Sequence, residues 1–257
     1  MSKIIAFVNQ KGGVGKTTST INVARSLAEL GKKVLLVDLD PQGNASSGLG
    51  IDAGSVEKNL YHALIGSATP QDIVLSTDIE NLHIVPAAQD LAGADIEMVH
   101  IDAREFRLYS VLRPLRSFYD YILIDSPPSL GLLTVNGLVA SDSVVIPVQT
   151  EYYALEGLSQ LLGTIELVRE RLQPNLSILG ALLTLFDRRN RLSQQVVNEV
   201  RAHFPGPVFE TVIPRSVRLA EAPSYGKSIL DFDALSKGAR AYKSVAREIV
   251  AREEESE

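Results

Sequence analysis

The chain has 257 residues, 45% of them hydrophobic, a formal net charge of −6 and no cysteine. That length and apolar share suffice for one large α/β domain with a sizeable core, and the missing thiols exclude disulfides, thiolate nucleophiles, zinc–cysteine sites and cysteine-ligated iron–sulfur clusters. The acidic balance excludes a generally basic nucleic-acid binder, so DNA contact has to come from a local group of Lys and Arg; no run approaches the ~18 apolar residues of a membrane span, and without a leader-like segment ahead of the first strand a cytoplasmic location is expected.

The run Lys3-Ile4-Ile5-Ala6-Phe7-Val8 is apolar and partly β-branched, as a buried parallel strand is. Lys11-Gly12-Gly13-Val14-Gly15-Lys16-Thr17-Thr18 follows it. Residues without Cβ tolerate the backbone angles of an anion-binding nest, so glycines at 12, 13 and 15 let successive N–H groups approach a phosphate. Beyond the loop, Ile21, Ala24, Leu27 and Ala28 recur at helical spacing and the pattern stops at Gly31. Strand, glycine loop and helix in this order place the positive end of the helix on the same anion. Within the P-loop pattern, Lys16 reaches the β/γ-phosphates and the Thr17 hydroxyl binds Mg²⁺. The general pattern requires glycine at position 10, where this chain has Gln10, and a second lysine, Lys11, precedes the Gly-Gly pair.

Further apolar, β-rich runs occur at Lys33–Asp38, Leu82–Pro86, Tyr121–Asp125, Ser143–Val148, Ile178–Phe186 and Val208–Pro214, with helical patterns between most of them. This alternation predicts a doubly wound, mostly parallel sheet with helices on both faces, the P-loop NTPase architecture. Ligands of such sheets sit at the carboxyl ends of strands, which is where Asp38, Asp40 and Asp125 fall. A carboxylate at Asp125 can hold Mg²⁺ through a water or through Thr17. Phe186-Asp187-Arg188-Arg189-Asn190-Arg191 gathers three arginines after a strand, and Pro214-Arg215-Ser216-Val217-Arg218 with Lys227 forms a second basic group suited to phosphate contacts. His62, His83, His100 and His203 have no metal-ligand spacing. Leu235, Ala239, Tyr242, Ala246, Ile249 and Val250 form a stripe compatible with a core-facing terminal helix. Residues 1–252 read as a single domain, and Glu253, Glu254, Glu255 and Glu257 as an acidic tail that an anionic membrane would repel.

The pattern K-G-G-x-G-K-[ST] at Lys11–Thr17 resembles the deviant Walker A box of the ParA/MinD group of P-loop ATPases, and the segment Asp38–Asn44 (D-x-D-P-Q-G-N) resembles the switch I region of its ParA branch. Ile124–Pro128 and Ile213–Pro223 are similar to that group's D-x-P-P and nucleotide-base segments, in the same order. The resemblance implies an ATP- and Mg²⁺-dependent ATPase of the chromosomal ParA/Soj type. It implies that Lys11 crosses a homodimer interface to the partner's nucleotide, that Asp40 positions the attacking water, and that Asp38 assists near the Mg²⁺ shell. Pro214 and Ser216 would contact adenine. Arg189 and Arg218 are the best matches for residues facing non-specific double-stranded DNA, with Arg188, Arg191 and Lys227 beside them. A ParB/Spo0J-like activator and a nucleoid-associated location go with this type. Two other readings share the loop. A MinD-like membrane-associated division-site ATPase is opposed by the acidic tail; a P-loop metabolite kinase or ligase resembling dethiobiotin synthetase is opposed by Lys11 and the arginine clusters.

Overall fold

The computed structural model describes residues 2–151 and 157–255. In chain order the elements are β1 (Lys3–Phe7), α1 (Lys16–Glu29), β2 (Val34–Asp38), α2 (Asn44–Gly48), α3 (Leu60–Ile65), β3 (Leu75–Ser76), β4 (Leu82–Val85), α4 (Leu91–Glu97), α5 (Arg107–Leu112), β5 (Tyr121–Asp125), α6 (Leu132–Ala140), β6 (Ser143–Gln149), α7 (Leu158–Arg171), β7 (Ser177–Thr184), α8 (Arg191–His203), α9 (Val217–Glu221), α10 (Ile229–Phe232) and α11 (Lys237–Glu255). The strands form one seven-stranded sheet in the order β3-β4-β2-β5-β1-β6-β7. Every neighbouring pair is parallel except β3 with β4.

Strand side chains alternate between faces, and each face is covered by its own apolar layer. In β1, Ile4 and Ala6 join the layer that contains Leu91 and Leu108 from α4 and α5, Leu138 and Leu161 from α6 and α7, and Val197 from α8. Ile5 and Phe7 point the other way, into the layer of Ile21, Ala24 and Leu27 from α1 and Tyr242, Ala246 and Ile249 from α11. The doubly wound, mostly parallel architecture read from the sequence is therefore observed. Helix α1 ends as expected: Leu30 is its C-cap and Gly31 takes a φ of +78°, the left-handed angle that costs glycine least. Among the described residues no helix is long and apolar enough to cross a membrane.

Three expectations need correction. Val208–Pro214 is not a continuous ladder strand; it forms two isolated bridges, Ala181–Val208 on β7 and Phe186–Pro214 just beyond it, with the Ile213 N–H donating to the Leu183 carbonyl at 2.8 Å. Side chains of α11 take some of the remaining backbone groups. The Glu248 carboxylate accepts the N–H groups of Glu210 (2.9 Å) and Thr211 (3.0 Å), and the Arg252 guanidinium donates to the carbonyls of Leu179 (2.7 Å) and Val208 (2.8 Å). The apolar stripe starts later than read: Leu235 precedes α11 and is 87% exposed, while Val245 joins Ala239, Tyr242, Ala246 and Ile249 in the core. Finally, the acidic end is not all tail. Helix α11 runs through Glu255, and Glu253 is buried, ion-paired to Lys3 Nζ at 3.1 Å and accepting the Ser143 hydroxyl at 3.0 Å. One of the four charges set against a membrane is thus neutralised inside the fold; Glu257 lies outside the described residues.

Candidate active site

The carboxyl ends of β1, β2, β5 and β7 converge on the glycine loop, because parallel neighbours in register end at the same edge. The loop leaves β1 and turns into α1 with Gly13 at φ +73° and Gly15 at +84°. A Cβ on Gly12 or Gly13 would meet nothing within 4 Å, so these glycines are not there for lack of room; the left-handed angles are the requirement at 13 and 15. Gly15 is the N-cap of α1 and offers no side-chain cap. Among the described residues no acceptor takes the N–H groups of Gly13, Val14, Gly15 or Lys16, which therefore form a nest of donors at a helix N-terminus.

Two side chains shape the loop from outside. The Asn9 carboxamide donates to the Pro147 carbonyl (2.7 Å) and accepts the Lys11 N–H (2.9 Å), fixing where the second lysine leaves the chain. Gln10, standing where the general motif has glycine, donates to the Gly157 carbonyl at 2.8 Å. It anchors the chain just ahead of α7. Lys11 opens onto a recess of about 680 Å³ that it lines with Gln10, Pro128, Ser129, Leu130 and Gln160. Lys16 is buried, and its ammonium donates to the Lys11 carbonyl at 3.3 Å. Burial lowers its pKa, against the opposing charges of Asp125 and Asp40.

Asp38 and Asp125 lie in register on β2 and β5, both fully buried, yet their carboxylates are used differently. Asp38 is fully engaged. One oxygen accepts the Ser46 N–H (2.8 Å) and hydroxyl (2.7 Å), and the other the Asp40 N–H (3.3 Å). Ser46 in turn accepts the Ala87 N–H, so Asp38 pins the turn after β2 onto α2 and the end of β4. Asp125 accepts the Thr20 hydroxyl at 3.2 Å on Oδ1, with Thr17 close enough to bear on its titration, while among the described residues its buried Oδ2 has no partner. Such an unsatisfied buried carboxyl oxygen beside a donor nest fits a site completed by a cation. Burial, reinforced by the charge of Asp38, pushes Asp125 up to about 8; burial likewise raises Asp38 to about 6, against its hydrogen bonds from Ser46.

The donor set fits Mg²⁺ shared with a nucleotide. Among the described residues no three His, Cys, Asp or Glu side chains gather into a metal cage. A hydroxyl, one carboxylate and a phosphate cradle are what Mg²⁺ uses when the phosphates supply its remaining ligands. Thr17 and Asp125 are the residues that would hold such an ion, while Asp38, anticipated near the Mg²⁺ shell, has both oxygens engaged in holding the turn after β2. Asp40 is buried at the same edge, and its Oδ1 accepts the Gln42 N–H at 3.0 Å. Gly43 caps α2 at φ +63°, where a Cβ would lie 3.0 Å from the Ala87 carbonyl oxygen.

The two basic segments meet at this edge too. The Arg215 N–H donates to the Phe186 carbonyl at 2.9 Å, joining the chain before Arg188–Arg191 to the chain before Arg218. Pro214 bridges Phe186, and Ser216 is the N-cap residue of α9. Arg188, Arg191 and Lys227 are exposed. Arg189 is exposed but chelates Asp187 through two contacts of 3.2 Å. Arg218 pairs with Glu221 (3.3 Å) and Asp233 (3.6 Å) and lies over the Phe232 ring at 5.4 Å. Sequence reasoning missed Asn9, Thr20, Ser46 and Thr184. Their hydroxyl and amide groups act across the fold, and only the i+4 spacing of Thr20 from Lys16 offered a local signal.

A family model described as an AAA domain matches residues 2–178. The chain is 56% identical over 251 residues to the sporulation initiation inhibitor protein Soj of Bacillus subtilis, covering 98% of this chain and 99% of that protein. It is 53% identical over 253 residues to the chromosome partitioning protein ParA of Myxococcus xanthus, covering 98% and 89%. A solved structure of cobyrinic acid a,c-diamide synthase from Mycobacterium smegmatis, with bound ADP and magnesium, matches with a TM-score of 0.89 at 36% identity, over 100% of this chain and 97% of that one.

Proposed function

Since this chain belongs to the Soj/ParA family of chromosome-partitioning ATPases, we propose that it works as an ATP-driven dimerising switch that holds non-specific double-stranded DNA and releases it on hydrolysis. The observation that carries the reading is the donor nest of Gly13–Lys16 at the same strand edge as the unpartnered Oδ2 of Asp125, with a second lysine, Lys11, opening onto a recess. The ADP and magnesium of the M. smegmatis structure support the assignment of ATP and Mg²⁺ to this edge.

The N–H groups of Gly13, Val14, Gly15 and Lys16 would bind phosphate oxygens, and the buried Lys16 ammonium would leave the Lys11 carbonyl for the β/γ-phosphates. The Thr17 hydroxyl and Asp125 would hold Mg²⁺, which when bound draws off charge from the phosphates. Asp40, fixed by its turn, would orient the attacking water. Pro214 and Ser216 would face the adenine. Lys11 gains a partner phosphate only when two loaded subunits face each other, so ATP favours the pair by differential affinity. Pairing would then align the Arg188–Arg191, Arg218 and Lys227 groups of both protomers, turning weak single contacts into a multivalent one on DNA. Hydrolysis, stimulated by a ParB-like partner, would dissolve the pair, giving a protein that is cytoplasmic and nucleoid-associated.

Sizing and DNA retardation of the same samples with ADP, ATP and a slowly hydrolysed analogue test this directly. The pair and the DNA complex are expected only with ATP or the analogue. Single subunits in every nucleotide, together with unchanged behaviour of Lys11→Ala, would refute the reading.

A further inference from the structure

The last residue of β7, Thr184, is 1% exposed, and its hydroxyl donates to the Val14 carbonyl inside the glycine loop at 2.8 Å. The same side chain packs on the next residue: a Cβ on Gly15 would lie 3.8 Å from its Cβ and Cγ2. β7 thus reaches the loop through a side chain, whereas β1 reaches it through the chain itself.

The consequence follows from peptide geometry. No described peptide bond is cis, and in a trans peptide the C=O and the following N–H point in opposite directions. Holding the Val14 carbonyl toward Thr184 therefore turns the Gly15 N–H the other way, away from Thr184, and no described acceptor takes it. This peptide is able to rotate out of place. Gly15 has no Cβ and accepts positive and negative φ with similar ease, so the Val14–Gly15 plane has little intrinsic preference. Val14 is 1% exposed, so its side chain cannot follow such a rotation, and the carbonyl alone needs a tether.

Thr184 is itself held. Its carbonyl accepts the Thr150 N–H (3.1 Å) and hydroxyl (3.3 Å), and the Ser193 hydroxyl in the first turn of α8 donates to the Thr150 carbonyl at 3.1 Å. Two hydroxyl residues, Thr150 after β6 and Ser193 on α8, thereby fix the position of the one that grips the loop.

We propose that Thr184 is a positioning residue for nucleotide binding, keeping the Val14–Gly15 peptide oriented so that the Gly15 N–H faces phosphate. This rests on the nucleotide reading of the loop and adds a residue outside the motif to it.

The test compares the full-length wild-type chain with Thr184→Val, which keeps the shape and removes the donor, and Thr184→Ser, which keeps the donor and removes the methyl. The measurements are the dissociation constant of a fluorescent ATP analogue with Mg²⁺, KM and kcat for ATP hydrolysis, and thermal unfolding without nucleotide. Loss of one neutral hydrogen bond corresponds to about a 3–10-fold change. Thr184→Val is expected to raise both the dissociation constant and KM by that factor with kcat at saturation near wild type, and Thr184→Ser to restore both. A merely structural role would lower the unfolding temperature and leave KM unchanged. Should Thr184→Val fail to fold, Thr184→Ala has to show the same rise in KM.

Unchanged affinity and KM in the folded variants lacking the hydroxyl would overturn the proposal, as would a Thr184→Ser protein as impaired as the valine variant. Failure of the wild-type chain to bind the analogue would instead sink the nucleotide reading, and this one with it.

Discussion

Asp38 and Asp125 face each other in register at the ends of adjacent parallel strands, and both are fully buried. Both carboxyls are held above the usual range, so the folded chain binds protons that the unfolded chain releases near 3.8. A raised carboxyl contributes stability at low pH that is lost as pH rises through the folded values, here from about 4 through about 6 and about 8. Chemical denaturation of nucleotide-free, divalent-free protein should therefore show a stability decline across that window attributable to this pair. Asp125→Asn should flatten the decline and raise stability at its alkaline end, while weakening Mg²⁺-dependent nucleotide binding. A variant with the wild-type pH slope would show that the pair is not the source.

Asp40 sits between a turn and the chemistry, and two measurements separate these roles. Asp40→Asn keeps an acceptor for the Gln42 N–H and loses the negative charge. It should preserve nucleotide binding and ATP-dependent pairing while slowing hydrolysis by about 10² or more. Single-turnover phosphate release alongside analytical ultracentrifugation checks both halves; hydrolysis at the wild-type rate would leave Asp40 only its turn.

Arg189 is chelated by Asp187, so in the isolated subunit part of its charge is spent within the loop. Arg189→Ala should lower the salt slope of DNA binding by about 1 for each phosphate that the arginine held, and leave ATP hydrolysis intact. Asp187→Asn should do the reverse, raising DNA affinity by releasing the guanidinium. If neither variant moves the salt dependence, the chelate is an ordinary surface pair.

Glu253 ties the last helix to the first strand and to β6 through Lys3 and Ser143. Glu253→Ala should cost about 1–3 kcal/mol in urea unfolding, since it removes from this buried corner an acceptor that serves both a hydroxyl and an ammonium. Glu254→Ala, on the exposed side of the same turn, should be neutral within about 0.5 kcal/mol. Equal effects at 253 and 254 would contradict the contrast.

The parts of the fold that were legible are those written in local chemistry. Gly13 and Gly15 announced a nest because their left-handed angles demand glycine, and β2 and β5 were visible as apolar runs closed by Asp38 and Asp125. What was illegible depends on groups distant in sequence. Val208–Pro214 has strand composition, yet between the bonds that Phe209 and Ile213 make to β7, Glu248 of α11 claims the N–H groups of Glu210 and Thr211, and Arg252 the Val208 carbonyl. Asp38 and Asp125 look alike at the ends of their strands; Ser46 satisfies one and nothing in the described fold satisfies Oδ2 of the other. Thr184 carries no motif, and only the return of β7 to the loop brings it within 2.8 Å of Val14. Leu235 continued an apolar periodicity that Ser236 interrupts, its hydroxyl accepting the Ala239 N–H at the start of α11.

The Lys3–Glu253 link lies where β1 begins, and the glycine loop where β1 has ended, five residues and about 17 Å further on. Any polypeptide joined ahead of residue 3 or behind residue 255 therefore leaves from the rim opposite the nucleotide. A fluorescent reporter fused ahead of residue 3 or behind residue 255 should ride clear of the glycine loop, and the contact of Lys3 with Glu253 makes the chain a natural subject for circular permutation.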